Sequence, residues 1–429
     1  MTKEKSLDRR RFELLQQVIE LDDDAREKAL AASDPELAED VRARLQSAAA
    51  RGDDFLTAPP TPRPSWPERV GPYRLLERLG EGGMGVVFLA EQREPVRRRV
   101  AVKVLRRAIS GRQARARFSA ERHAMGRLSH PNVGKLLDAG TTEEGLPFFA
   151  MELIDGLPIT TYCDRQRLGL KARLRLFVAA CRGVEHAHKK LLLHRDIKPS
   201  NILVADIDGE AVPKLIDFGI AKGLDEALTD ITLATGAHVL GTPSYMSPEA
   251  LGLGGDVDIR SDQFSLGVVL YELLTGQRPW PDAEATPVST IRQRSEDAEG
   301  PSRRVGRLEG SERDTVARQR GESAEGLAKR LRGDLDRITL QAIADRPAER
   351  YSSVANLADD VERFLADVPI TAQAPTSAYL LRKLVRRHRG RVIAAALLMV
   401  SLLLGTVGTA IGFVKARAEA ERAGQEAEA

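Results

Sequence analysis

The sequence predicts an α+β fold, with a strand-rich stretch followed by a helix-rich one, a helical segment before them and one long apolar helix after them. Three observations carry this. Short apolar runs at Tyr73–Leu79, Phe88-Leu89-Ala90, Val100–Leu105 and Phe148–Ile154 follow one another with turn signals between them. From Leu170 the apolar residues recur at helical spacing, and that spacing returns over Leu331–Leu365. Residues 392–414 contain no charge.

The bulk numbers set limits on function. The chain has 429 residues and is 42% hydrophobic, which suffices for a full-sized core. A net charge of +3 gives no ground for a nucleic-acid partner. Charge is local instead, with a basic cluster at 382–391. Cys163 and Cys181 lie on helical segments, without CxxC or Cys/His spacing, so buried free thiols are expected rather than zinc or a disulfide. Residues 1–11 are polar and charged, so no secretory signal is expected.

Taken in order, residues 8–50 read as amphipathic helices. Phe12, Leu15 and Ile19 form one stripe, and Leu37, Val41 and Leu45 another after the start signal Ser33-Asp34-Pro35-Glu36. Pro59, Pro60, Pro62, Pro64 and Pro67 then forbid helix and mark a linker. The chain divides into a helical segment (1–56), a proline-rich linker (57–72) and the main domain (73–365). A basic juxtamembrane segment (366–391), an apolar helix (392–414) and a short tail (415–429) come after it.

In the main domain, Gly80-Glu81-Gly82-Gly83-Met84-Gly85-Val86-Val87 lies between two strand-like runs. These glycines therefore make a hairpin rather than a strand-to-helix turn, and its backbone N–H groups are free to close over phosphates. The strand Val100–Leu105 places Lys103 in a buried run, and a buried lysine needs a partner. Glu121, on a helix from about 111 to 128, is the expected carboxylate. His194-Arg195-Asp196-Ile197-Lys198-Pro199-Ser200-Asn201 and, further on, Asp217-Phe218-Gly219 supply two acids, an amide and a lysine. That set suits holding a metal-bound triphosphate beside a hydroxyl nucleophile.

In this order the glycine hairpin, Val-Ala-Val-Lys, His-Arg-Asp-Ile-Lys-Pro-Ser-Asn and Asp-Phe-Gly resemble the eukaryotic-type (Hanks-type) protein kinase family. The resemblance covers about residues 73–365 and implies a bilobal fold, a β-rich N-lobe over a helical C-lobe. It implies ATP and Mg²⁺ as cofactors, with Mn²⁺ as an alternative. ATP contacts are expected from Leu79, Gly80, Glu81, Gly82, Gly83, Met84, Gly85, Val86, Val87, Ala101 and Lys103. At the hinge between lobes, the Glu152 carbonyl and the Ile154 N–H would hold the adenine edge, with Met151 guarding the rear pocket.

The resemblance also implies the catalytic roles. Asp196 is the expected base, Lys198 reaches the transferring phosphoryl group, and Lys103, fixed by Glu121, holds the α/β phosphates. Asn201 and Asp217 are the expected Mg²⁺ ligands. Arg195 beside the base is a cation that a phosphate on the following loop would neutralise, and Thr232 and Thr235 are the expected sites. Thr242 is expected to line the substrate pocket, and with Lys198 it resembles serine/threonine-specific members. Glu249 is expected to pair with Arg350, and Asp262 to steady the catalytic-loop backbone. His186 and His188 read as helix-face residues, and residues 283–328 as a polar, mobile excursion.

The uncharged run at 392–414 is long enough to cross a bilayer. Arg382, Lys383, Arg386, Arg387, Arg389 and Arg391 precede it, while Lys415, Arg417 and Arg422 are interspersed with glutamates after it. The main domain is therefore expected on the cytoplasmic side of the cell membrane. Gly408 and Gly412 form a GxxxG spacing that suits a homodimer. The layout resembles bacterial single-pass transmembrane serine/threonine kinases acting on protein substrates. The alternative is a pseudokinase-like signalling scaffold, against which stand Lys103, Asp196, Asn201 and Asp217.

Overall fold

The computed structural model describes residues 67–82, 85–106, 122–218, 243–251, 256–280, 298–374 and 376–427, together with positions 28, 33 and 119. Apart from positions 28 and 33, the expected N-terminal helical segment lies outside the described residues, as do residues 57–66 of the expected linker, Gly83, Met84, Glu121, Thr232, Thr235 and Thr242. Arg69–Val70, read as linker, is instead a strand. The chain separates into two units, Met1–Pro67 and Glu68–Ala429, and both sheets and the helices packed on them belong to the second.

Six antiparallel strands form the N-lobe sheet: β1 (Arg69–Val70), β2 (Tyr73–Gly82), β3 (Gly85–Gln92), β4 (Arg98–Leu105), β5 (Leu136–Thr141) and β6 (Pro147–Glu152). Their order is β1-β2-β3-β4-β6-β5. Period-2 alternation explains the core face. Val86, Phe88 and Ala90 on β3 and Val100, Val102 and Val104 on β4 are buried together, a largely β-branched set that fits a pleated surface. A smaller sheet, β7 (Gly156–Pro158), β8 (Ile202–Ile207) and β9 (Glu210–Leu215), underlies the cleft.

The C-lobe is helical. Helix α1 (Ile159–Arg165) leads into α2 (Leu170–His188), whose Leu174, Phe177, Val178, Cys181 and Val184 are all buried as their spacing predicts. Gly183 sits where α2 presses on β9, and a Cβ there would lie 2.8 Å from Leu215 Cδ1 and 2.9 Å from the Asn132 carbonyl. Helix α3 (Ile259–Thr275) starts at an Asp258 cap and ends at left-handed Gly276, and it is buried along most of its length. Both cysteines are buried free thiols, as expected.

Four sequence readings need correction. First, part of the expected excursion at 283–328 is helical: α4 (Pro301–Arg307), α5 (Gly310–Gln319) and α6 (Ala324–Leu331). Their apolar residues are sparse, but Val305, Leu308, Val316, Leu327 and Leu331 all enter the core. Arg320, which reads as solvated, is 1% exposed and donates to the carbonyls of Leu274, Val316 and Glu272. Second, the reading of His186 and His188 as helix-face residues is incomplete: both lie on α2, and both contact other elements of the domain. His188 Nε2 lies 2.8 Å from Asp262 Oδ2, and the His186 ring packs tilted against that of His130, centroids 5.2 Å apart.

Third, the folded domain does not end at 365. After α7 (Asp334–Ala342) and α8 (Val354–Leu365), the Asp360 carboxylate accepts from the backbone N–H groups of Thr371 and Ala372. Helix α9 (Ser377–Arg387) then packs through Tyr379 and Lys383. Fourth, Lys383 is therefore not a free juxtamembrane charge, since it is 3% exposed and pairs with Asp334 at 2.7 Å. Helix α10 (Arg389–Ala427) contains Val392–Ala418, long and apolar enough to cross a membrane, with no part of it buried.

Candidate active site

The cleft between the sheet and the C-lobe is built by strand register. Val87 pairs with Lys103 across β3 and β4, and Ala101 pairs with Met151 across β4 and β6. All four line a cavity of about 540 Å³. Val86, one residue away, takes the opposite face and is fully buried opposite Val104. The Val86 side chain thus turns away from the cavity, because alternation sends adjacent side chains to opposite faces.

Leu79, Gly80, Glu81, Gly82 and Gly85 of the hairpin, Glu152 and Ile154 of the hinge, and Asp196, Lys198, Asn201 and Asp217 line the same cavity. The glycines differ in kind. A Cβ on Gly80 or Gly82 would meet nothing within 4 Å, whereas one on Gly85 would strike the Val104 carbonyl at 2.3 Å. Gly85 is thus required by strand packing, while the other two keep the cleft side open. Glu81 is tied by ion pairs to Arg78 and Arg106.

Also lining the cavity are Met125, Gly134, Leu153, Ser200, Leu203, Ile216 and Phe218, which the motif reading passed over. Leu203 was findable: it alternates with Ile202 and Val204 on β8, both buried beneath the sheet. The hinge is anchored from below. Lys214 Nζ donates to Glu152 Oε1 at 2.8 Å, and the Lys135 N–H donates to Oε2 at 3.2 Å.

Lys103 Nζ lies 3.0 Å from Asp217 Oδ1, with the two side chains 18% and 22% exposed. This is the partner a semi-buried lysine needs. The expected partner Glu121 lies outside the described residues. Lys198 Nζ stands 3.0 Å from Asp196 Oδ2. Asn201 donates through Nδ2 to the Asp196 carbonyl at 2.8 Å and to Asp196 Oδ2 at 3.0 Å. That leaves the Asn201 amide oxygen as an acceptor beside Asp217 in the cavity. Two hard oxygens, with the remaining positions left to phosphates and water, fit a divalent cation of the Mg²⁺ kind.

The loop carrying these groups is strained and is held from below. Arg195 at φ 61° and Asp217 at φ 58° both occupy the left-handed region without being glycine. Such residues cost on the order of 1–3 kcal/mol and persist only where surroundings enforce them. Asp262 enforces the first: its carboxylate accepts from the N–H of His194 at 2.7 Å and of Arg195 at 2.8 Å. Burial alone would raise the Asp262 carboxyl, but the contacts with His188 and His194 hold it below the ordinary range. Phe218 packs on the His194 ring at 4.5 Å, so Asp217 turns to the cleft as Phe218 enters the core. Burial lowers the His194 pKa against the pull of Asp262 and Asp196, and its Nε2 lies 3.1 Å from the Ile216 carbonyl.

Beyond the cleft, Glu249 and Arg350 meet as expected, in a bidentate pair at 2.7 and 2.9 Å. Burial would raise the Glu249 carboxyl, but hydrogen bonds from Arg350 and Ser261 bring it down to about 2. Ser244 and Tyr245 are held beside it, by Arg278 and by Glu272 and Ser265.

A glycine hairpin over a cleft that gathers a lysine, two acids, an amide and a second lysine defines a kinase-type domain. The chain belongs to the protein kinase family: residues 73–345 match the protein kinase domain. Relatives include the serine/threonine-protein kinase pkn3 of Myxococcus xanthus, 34% identical over 72% of this chain and 53% of that protein. Pkn1 of the same organism is 32% identical over 70% of this chain and 39% of its own length. PknB of Mycobacterium tuberculosis is 34% identical over 68% of this chain and 42% of its own. The chain thus spans about two-fifths to a half of the curated relatives it matches. Among solved structures, the kinase domain of Mycobacterium tuberculosis PknI aligns at 26% identity and a TM-score of 0.47, covering 69% of this chain and 97% of that one.

Proposed function

We propose that this chain is a membrane-anchored serine/threonine protein kinase that transfers the ATP γ-phosphate to protein hydroxyls. One observation carries the reading: Lys103, Asp196, Lys198, Asn201 and Asp217 converge in a single cavity. Asp196 orients the acceptor Oγ and takes its proton as the oxygen bonds to the γ-phosphorus. The bond to the β–γ bridging oxygen breaks, and ADP leaves. Lys198 neutralises the phosphoryl oxygens in transit, and Lys103 holds the α/β phosphates, steadied by Glu121. Gly80 and Gly82 close over the phosphates. Val87, Ala101, Met151 and Leu203 clasp the base, whose edge the Glu152 carbonyl and Ile154 N–H hold. Asn201 and Asp217 would hold Mg²⁺, with Mn²⁺ as an alternative, which when bound neutralises the triphosphate charge.

Activation rests on Arg195. A phosphate on Thr232 or Thr235, placed by a second copy, engages the Arg195 guanidinium beside the base. Membrane anchoring rests on α10. A helix that is long and apolar enough to cross a membrane, uncharged over 392–414 and with none of that stretch buried, is suited to lipid rather than water. Arg382, Arg386, Arg387, Arg389 and Arg391 on its N-terminal side favour a cytoplasmic catalytic domain, and Gly408 and Gly412 offer a face on which two copies pair.

The test uses the full chain in detergent with labelled ATP, Mg²⁺ and a generic acceptor protein. Label on serine or threonine, absent in Asp196→Asn of equal melting temperature, is expected. A folded wild-type chain that transfers no label overturns the enzyme reading. Mapped phosphosites confined to positions other than Thr232 and Thr235 overturn the activation reading alone.

A further inference from the structure

Helix α9 presents two opposed faces. One is locked to the C-lobe. The Tyr379 hydroxyl accepts from the Ile370 N–H at 3.1 Å, and Tyr379 is 5% exposed. Lys383 pairs with Asp334 and lies 5.7 Å above the Phe364 ring and 5.8 Å above the Tyr379 ring. Asp360 pins Thr371 and Ala372 just before it. The other face carries Leu380, Leu381, Leu384 and Val385, which are 42%, 61%, 54% and 38% exposed. With 3.6 residues per turn, this apolar arc is centred roughly 150° from the Tyr379–Lys383 face. Arg382 and Arg387, both exposed, border the arc on its two sides.

An apolar arc bordered by arginines on a helix is the pattern of a segment lying in a membrane interface. Connectivity decides what covers it. The helix breaks at His388 (φ −119°, ψ 39°), and α10 begins at the next residue and carries the candidate span. The arc is therefore already beside the bilayer. Its arginine borders match an anionic leaflet and repel the same patch on a second copy.

We propose that α9 lies in the cytoplasmic surface of the bilayer, its leucines in lipid and its Tyr379–Lys383 face holding the C-lobe down. This rests on the reading of α10 as a span. The consequence is a tether without slack. The chain is fixed to the domain at Ile370–Ala372 and again at Tyr379 and Lys383, so the catalytic domain rides on an anionic lipid surface and acts on membrane-proximal acceptors.

The test is spin-label accessibility on the full chain in vesicles of phosphatidylcholine and phosphatidylglycerol, with single cysteines replacing Leu381, Leu384, Val400 or Glu210. The native Cys163 and Cys181 are fully buried and leave the introduced site to react. Labels at 381 and 384 are expected to collide with oxygen and be shielded from an aqueous nickel complex, as at 400 and unlike 210. A label at 400 that faces water overturns the span reading itself. A label at 400 in lipid with those at 381 and 384 in water overturns only the α9 proposal. Labels at 381 that broaden one another while shielded from both colliders place a second copy on the arc and overturn it as well.

Discussion

The acids of the cleft and the acids of the C-lobe interior carry the same carboxylate and are used in opposite ways. Asp196 and Asp217 keep 18% and 22% of their side chains exposed, each with a lysine 3.0 Å away. Asp262, Glu249 and Asp360 are 3%, 5% and 0% exposed, and protein donors meet them from several elements. Asp262 takes His188 and two backbone N–H groups; Glu249 takes Arg350 and Ser261; Asp360 takes Tyr351, Thr371 and Ala372. A carboxylate buried among protein donors is out of reach of a cation or an acceptor hydroxyl, and removing its partners strands a buried charge. An accessible one with a movable lysine is available for chemistry. The family pattern separates Asp196 and Asp217 from Glu249 and Asp262, but nothing local in the sequence marks Asp360 as a structural acid.

Substitutions can break this division. The largest effect is expected at Asp196→Asn, which should cut phosphoryl transfer by about 10²–10⁴-fold, the range for a positioned proton acceptor. Its melting temperature should be unchanged by calorimetry, and a large drop would place Asp196 with the structural acids. Next is Arg350→Ala. Leaving Glu249 buried and unpaired should cost about 3–5 kcal/mol of unfolding free energy in a urea titration.

The same pair sets an acid limit. Glu249 has a folded value of about 2, below its ordinary 4.5, so its contribution is complete above about pH 4.5 and is lost as pH falls towards 2. Thermal melts of wild type and Glu249→Gln from pH 5 to 2 should converge as the acid is approached; parallel curves would remove Glu249 from the acid transition. The smallest effect separates neighbours on β3. Val86→Ala should lose about 1–2 kcal/mol of stability, at ~0.8 kcal/mol per buried methylene, and leave ATP affinity alone. Val87→Ala should weaken ATP binding by calorimetric titration with less loss of stability. The reverse pattern would mean the strand register is shifted by one.

Much of the site was legible because kinase motifs are local. The glycine hairpin, Lys103, the Asp196–Asn201 run and Asp217 each sit within a few residues of a strand end, and the fold brings them to one cavity. The Glu249–Arg350 pair and the Asp262 clamp were legible from the family pattern alone. What was not legible depends on phase and partner. Val86 and Val87 are equally apolar, and only the β3–β4 register decides which one faces the cleft. Arg320 and Lys383 sit in basic, polar stretches, and nothing local says that carbonyls or Asp334 await them inside. The helices of 301–331 carry too few apolar residues for their period to stand out against the surrounding arginines.

The most direct measurement pairs activity with stability on the same two variants. Full-length Asp217→Asn and Glu249→Gln are each assayed for labelled phosphate transfer and melted in the same buffer. Asp217→Asn is expected to keep the wild-type melting temperature and lose transfer, while Glu249→Gln loses melting temperature first. An Asp217→Asn chain that still transfers phosphate at the wild-type rate would contradict the assignment of the cleft acids to chemistry.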